Sequence, residues 1–229
     1  MTMQVKRVSE HIWSLKKWMI IPIHIWIVVD EEGITLVDAG MPMMTKGILN
    51  FIEQLNAGPL LRILLTHGHS DHVGAVKGIL KQYQVPVYAH PIEIPYMVGE
   101  VLYPKRKKLE HNLPRALVSP LLDDNLSKLN KIGGLTPYFT PGHSPGHVVY
   151  YHEQDQVLLA GDLFTSTKGK LKQPMAMFTA NMKQAVASAS IISQLKPNQL
   201  EVCHGNTVFQ PSNQLEKYVN SMERKLEGQ

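Results

Sequence analysis

The run Thr66-His67-Gly68-His69-Ser70-Asp71-His72 constrains this chain more than any other stretch. It packs four side chains of metal-ligand type into six residues, directly after the apolar run 60–65. In an extended segment His67 and His69 point the same way. Asp71 and His72 fall where helical spacing begins. Imidazoles with a carboxylate suit zinc, iron or manganese. A fold that uses them must bring a strand end, a tight turn and a helix start to one point.

The bulk properties permit such a fold. With 229 residues, 44% hydrophobic and 18% charged, the chain can bury a real core. The formal charge of +4 is mild, so nucleic acid would need a concentrated basic patch. Lys105-Arg106-Lys107-Lys108 is the candidate; a solvated face is the favoured reading and anion capture the alternative. Cys203 is the single cysteine, so no internal disulfide can form and a reducing cytoplasm fits best. Segment 18–29 is apolar, but Pro22 and His24 interrupt it and it is too short to span a bilayer. It reads as a buried strand, and no membrane role is expected.

Residues 23–29 and 34–37 are β-branched runs around Asp30-Glu31-Glu32-Gly33, a hairpin pattern. Residues 46–55 carry Ile48, Leu49, Ile52 and Leu55 at helical spacing and stop at Gly58-Pro59. Residues 60–65 read as a strand buried on both faces. From Asp71, Val73, Val76, Leu80 and Tyr83 keep a helical period, and 85–89 returns to strand. Residues 91–134 break the rhythm with prolines at 91, 95, 104, 114 and 120. They read as an insertion with short helices, a lid over the site. Strands follow at 138–139, 148–151 and 157–160, a helix at 181–195, a strand at 200–203 and a surface helix at 212–226. No domain boundary stands out, so one domain over 1–229 is expected.

Three further groups set a ligand type beside glycine after a strand: His143 with His147 four residues on, Asp162, and His204. Ligand sites in α/β proteins gather at strand ends. With Val37-Asp38-Ala39-Gly40, Thr140-Pro141-Gly142-His143, Gly161-Asp162 and Cys203-His204-Gly205, the ordered set resembles the metallo-β-lactamase superfamily over nearly the whole chain.

That resemblance implies an α/β fold, a four-layered αβ/βα sandwich with a helical insertion over the site. It implies that His67, His69 and His143 hold one divalent ion, that Asp71, His72 and His204 hold another, and that Asp162 bridges them. Asp38 would support the ligands from behind, with a plain turn role the equal alternative. Two cations about 3.5–4 Å apart can share one water. The implied chemistry is a bridging hydroxide attacking a carbonyl, with Asp162 holding both ions and Asp71 passing a proton to the leaving group. Zinc is the first expectation, iron or manganese the alternatives.

Departures within the superfamily narrow the branch. β-Lactamases of this fold carry cysteine or serine where Asp162 stands. Gly161-Asp162-Leu163-Phe164 resembles glyoxalase II, but only 25 residues follow His204, where that family adds a basic helical region. Acyl-homoserine lactonases carry tyrosine where Thr165 stands. The expectation is a hydrolase of an ester, lactone or thioester of a small, partly apolar metabolite. A mononuclear-iron persulfide dioxygenase is the alternative, and a non-catalytic metal module comes behind it. Trp18, Met19, Met97, Tyr103, Met177 and Phe178 are candidate pocket residues, with burial in the core as the competing reading. His147 is expected to support His143 or fill the core, and Cys203 to be a small buried residue. A homodimer is left open.

Overall fold

Sheet hydrogen bonding decides where the ligand loops lie. The computed structural model describes residues 3–123 and 129–228. Its first half runs β1 (Gln4–Arg7), β2 (Ile12–Trp18), β3 (Pro22–Val29), β4 (Ile34–Val37), α1 (Thr45–Leu55), β5 (Leu60–Leu64), α2 (Ser70–Val73), α3 (Val76–Ile79), β6 (Val87–Ala89), α4 (Ile94–Met97) and β7 (Ser119–Pro120). The second half runs β8 (Leu135–Phe139), β9 (Val148–His152), β10 (Val157–Leu159), β11 (Thr165–Thr167), β12 (Lys170–Lys172), α5 (Met182–Ser188), α6 (Ile191–Leu195), β13 (Gln199–Glu201), β14 (Val208–Phe209) and α7 (Ser212–Glu227).

Strands β1 to β7 form one sheet in sequence order, antiparallel up to β4 and parallel from β4 to β7. The second sheet has the order β14-β13-β10-β9-β8. Side-chain alternation along β9 shows how the sheets stack. Val148 and Tyr150 join the core shared with the first sheet, while Val149 and Tyr151 join a second core with α5, α6 and α7. In β10, Val157 and Leu159 face one core and Leu158 the other. On the far side α1 buries Ile48 and Ile52 against the first sheet and ends on left-handed Asn56. Removing either isoleucine side chain should cost about 2–5 kcal/mol. The result is helix, sheet, sheet, helix.

The parallel pairings point the C-terminal ends of β4, β5, β10 and β13 to one edge of the sandwich. The β8–β9 turn lies at that edge too, because Phe139 pairs with Val148. The two sheets are stitched there by Val148 N–H to Thr66 C=O at 2.9 Å and Tyr150 O–H to Leu65 C=O at 2.9 Å.

Three expectations need correction. The helix expected from Asp71 is two single turns broken at Gly74-Ala75, and the helix expected over 181–195 is broken at Ala189-Ser190. Periodicity survives a break that keeps the apolar face, so spacing alone cannot reveal it. The 91–134 insertion is less helical than expected and more structural. It supplies one turn of α-helix, the short 3₁₀ turn Arg115–Leu117 and the edge strand β7, and it buries Met97, Tyr103, Leu113 and Leu121. Residues 124–128 of the insertion lie outside the described residues.

Candidate metal centre

Two glycines set the backbone of the ligand loops. Gly68 leaves no room for a side chain, since a Cβ there would lie 2.4 Å from both Met97 Cβ and Tyr103 Oη. Gly142 has φ of 133° and passes 2.1 Å, at the Cβ position, from Ala185 N. His67, Gly68 and His69 can therefore turn tightly after β5, and His143 can turn back toward them.

The first group closes tightly. His67 Nε2 lies 2.9 Å from His69 Nδ1, and His143 Nε2 lies 3.1 Å from that same atom. Hydrogen bonds on the far side of the rings fix which nitrogens face inwards. Thr179 Oγ1 gives its proton to Met175 C=O and so accepts from His143 Nδ1 at 3.2 Å. Thr66 Oγ1 gives its proton to Asp38 Oδ2 and so accepts from His67 Nδ1 at 3.1 Å. The inward nitrogens then carry lone pairs aimed at one point, an arrangement that a cation relieves. Burial drives the pKa values of His67 and His143 well below the ordinary histidine value, and that of His69 down to about 4. These three are neutral ligand types.

The second group is more acidic. His204 Nε2 lies 3.2 Å from Asp71 Oδ2 and 3.3 Å from Asp162 Oδ2, and His72 Nε2 lies 3.5 Å from Asp162 Oδ1. Asp162 Oδ2 is also 3.4 Å from His143 Nε2, so this carboxylate reaches both groups. His72 Nδ1–H donates to Asp38 Oδ2 at 2.8 Å, and His204 Nδ1–H donates to Pro22 C=O at 2.8 Å. Among the described residues, His72 Nε2, His204 Nε2 and Asp162 Oδ1 are buried with no hydrogen-bond partner. Orphaned polar atoms of this kind call for an ion. Burial opposes ionisation of Asp71, yet His72 and His204 hold its carboxyl at about 2. Against the same burial, His204 and His72 hold Asp162 well below the carboxylate range. In turn, the two histidines are raised above their ordinary value despite burial, His72 chiefly by Cys203 and Asp38, His204 chiefly by Asp162 and Cys203. The donor set fits divalent ions.

Supporting contacts sort the other expected residues. Asp38 is fully buried, accepts from Thr66 N–H at 2.8 Å as well as from His72, and sits at φ of 60°. It is both a turn residue and the group that orients His72. His147 supports Asp162 rather than His143: its Nε2 accepts from Asp162 N–H at 3.2 Å while its Nδ1 faces Thr140 Oγ1 at 2.9 Å. Cys203 is fully buried, with its Sγ within 4.8 Å of the ligand atoms of Asp71, His72 and His204. His11, His152 and Asp155 form a separate cluster at the opposite end of the sheets. There His11 Nδ1 meets Asp155 Oδ1 at 2.7 Å.

Sequence reasoning missed Glu93. It is fully buried and accepts from Gly68 N–H at 2.9 Å, Tyr103 O–H at 2.7 Å, Ser144 O–H at 2.9 Å and Gly146 N–H at 2.7 Å. Burial pushes its pKa up, opposed by these four bonds. It ties the His67–His69 loop to the His143–His147 loop. Its one sequence sign was a lone acidic residue in an apolar, proline-bounded stretch.

A cavity of about 850 Å³ opens over Asp71 and Asp162. Met19, Met177 and Phe178 line it, along with Ile20, Met175 and Arg106. Trp18 is half-exposed at the end of β2, outside the lining, with Lys16 Nζ over its ring. Met97 and Tyr103, expected in the pocket, are instead core residues. Met97 packs behind Gly68, and Tyr103 is drawn inwards by its bond to Glu93.

Comparison with known proteins agrees with this geometry. The family model described as "Metallo-beta-lactamase superfamily" matches residues 20–198. A probable metallo-hydrolase of Bacillus subtilis, YybB, is 36% identical over 221 residues, covering 95% of this chain and 98% of that protein. A hydroxyacylglutathione hydrolase of Nitrosomonas eutropha is 28% identical over 183 residues, covering 79% of this chain and 59% of that protein. Among solved structures, a metallo-beta-lactamase from Pontibacter korlensis superposes with a TM-score of 0.75 at 23% identity, covering 97% of this chain and 99% of that one. That likeness concerns the fold. By motif, fold and relatives together, the chain belongs to the metallo-β-lactamase superfamily.

Proposed function

We propose that this chain, a metal-dependent hydrolase of its superfamily, works with two divalent ions and cleaves an ester, lactone or thioester of a small, partly apolar metabolite. The observation that carries the reading is the position of Asp162, whose oxygens lie within 3.5 Å of His72, His143 and His204. His67, His69 and His143 would hold one ion; Asp71, His72 and His204 would hold the other; Asp162 would touch both. Zinc suits this donor set best, with iron or manganese as alternatives. Such ions supply an activated water and an electrophile for the carbonyl oxygen.

The chain's own residues do the remaining work. The imidazoles bring no negative charge and two aspartates only partly offset two divalent ions, so the site stays electrophilic. Asp71 is the more exposed of the two aspartates, at 27% for its side chain against 5% for Asp162. It lines the cavity and is placed to pass a proton to the leaving group. Asp162, oriented by His147, stays ionised. The methionine and isoleucine side chains of the cavity favour an apolar arm on the substrate. The relative named hydroxyacylglutathione hydrolase supports an acyl substrate.

Metal content by mass spectrometry, together with turnover on an ester, lactone and thioester panel, tests the reading. Two ions per chain are expected, and Asp162→Ala or His67→Ala should lose metal and turnover together. An active, metal-free variant overturns it. One iron per chain with persulfide-dependent oxygen uptake would move the chain to an oxidoreductase.

A further inference from the structure

The basic run Lys105-Arg106-Lys107-Lys108 is not uniform. Lys105, Lys107 and Lys108 are exposed, whereas Arg106 is half-buried and lines the cavity with Asp71 and Asp162. A strained turn aims it there. Arg106 N–H bonds back to Tyr103 C=O at 3.0 Å, and Lys105 within that turn adopts φ of 64°. A lysine held left-handed costs about 1 kcal/mol or more, so the surroundings must impose it. Buried Tyr103 fixes one end, and Lys105 Nζ donates to Thr179 C=O at 2.7 Å.

The guanidinium is preorganised in the same way. Its Cζ lies over the Phe178 ring, 5.0 Å from the centroid, and its Nε meets Glu110 Oε1 at 3.3 Å. The other Glu110 oxygen accepts from Asn112 Nδ2 at 3.2 Å. Among the described residues the two terminal nitrogens of Arg106 have no hydrogen-bond partner. A guanidinium held over an aromatic ring with its two terminal nitrogens free can take a carboxylate or phosphate in its fork. Glu110 and Asn112 line the cavity beside it, His69, Ser70, Asp71 and Asp162 line its polar end, and methionine, isoleucine and Phe178 side chains make up the rest.

We propose that Arg106 is an anion anchor, and that the substrate is an ester or thioester bearing a carboxylate or phosphate group beside its apolar arm. This rests on the hydrolase reading and names the substrate class for that site.

Two matched substrate pairs test it on the metal-loaded enzyme: an alkyl ester against its ω-carboxylate analogue, and a neutral thioester against one with a phosphorylated thiol. The wild type should favour the anionic member of one pair by about tenfold or more in kcat/KM, the scale of a charge-assisted hydrogen bond. Which pair responds tells whether the anion is on the acyl or the leaving side. R106M should lose about tenfold more on that anionic member than on its neutral partner, and R106K should recover part of the difference. Indifference of the wild type in both pairs, or equal losses in R106M, overturns the proposal. Absence of turnover on all four compounds would instead strike the hydrolase reading. Octanoate titrated into the metal-free protein then still decides the anchor: R106M should weaken binding about tenfold, and unchanged binding overturns it.

Discussion

Glu93 accepts from Gly68 N–H at 2.9 Å across 25 residues of chain, and this bond joins the 91–134 insertion to the turn between two candidate ligand histidines, His67 and His69. The other carboxylate oxygen holds Gly146 N–H at 2.7 Å. One buried acceptor thus sets the spacing of two ligand loops. Glu93→Gln puts an amide NH₂ where donors already converge and leaves at least one buried donor unpaired, at about 1–3 kcal/mol each. Metal affinity should fall about 10–100-fold, as for other groups that orient ligands from behind, and Tm should drop by several degrees. Isothermal titration with zinc and a melting curve check this; unchanged affinity with lowered Tm would reduce Glu93 to a folding role.

Asp38→Asn should separate the two ion groups. Asn offers one oxygen where Asp38 takes three hydrogen bonds, from Thr66 N–H, Thr66 O–H and His72 Nδ1–H. His72, in the second group, loses its acceptor directly, His67 in the first is reached only through Thr66 Oγ1, and His143 keeps Thr179. The expected outcome is loss of one ion before the other, read as metal content falling from two toward one per chain at limiting zinc. Equal loss of both ions would show that Asp38 serves the whole centre.

The cluster of candidate ligands that the structure brings together was legible because each member follows a strand and the pattern is local: spacing in 67–72 and the glycine-flanked His143, Asp162 and His204 need no tertiary knowledge. The long strands and the outer helices α1 and α7 were legible from their periods for the same reason. The rest was set by contacts distant in sequence. Strand β1 is exposed along its whole length, so it shows no buried period. Glu93 and Arg106 lie in the proline-broken insertion, where periodicity says nothing about which side chain turns inwards. Met97 and Tyr103 look like pocket residues until Gly68 and Glu93 are seen to claim them for the core.

The pH dependence of the metal-free protein follows from shifts of opposite sign. His147 is held down to about 3 and His69 to about 4, both mainly by burial, with His67 and His143 lower than ordinary for that same reason. Below about pH 6.5 the unfolded chain takes up protons that these folded rings refuse, so stability falls as pH falls from about 6.5 toward 4. His72 and His204 are raised, so their contribution is complete below about 6.5 and is lost as pH climbs toward their folded values. Tm of the metal-free protein should therefore peak near neutrality, declining by about 2–4 °C per pH unit for each proton exchanged. Zinc should flatten the alkaline side, because the ions replace the protons on His72 and His204. Differential scanning calorimetry from pH 5 to 9, with and without zinc, checks both limbs; a metal-free Tm that rises steadily above pH 7 contradicts the assignment.

Gly68→Ala tests whether the tight turn, rather than the ligands alone, makes the centre. The added methyl would meet Met97 Cβ and Tyr103 Oη at 2.4 Å each, and neither can retreat. Met97 is fully buried, and Tyr103 is bonded to Glu93. The backbone between His67 and His69 must then move away, lengthening the Gly68 N–H bond to Glu93 and spreading ring nitrogens that now lie 2.9 Å apart. An overpacked core position costs about 1–3 kcal/mol, which a chain of this size can bear while still folding. The expected result is a folded protein with native circular dichroism, a lowered Tm, and zinc affinity reduced about tenfold or more in the His67, His69 and His143 group. Removing the clashing Cβ should restore part of it, so the double variant with Met97→Gly regains metal that Gly68→Ala loses. If the double variant binds zinc no better than Gly68→Ala, the packing of Met97 against Gly68 is not what holds the two histidines together.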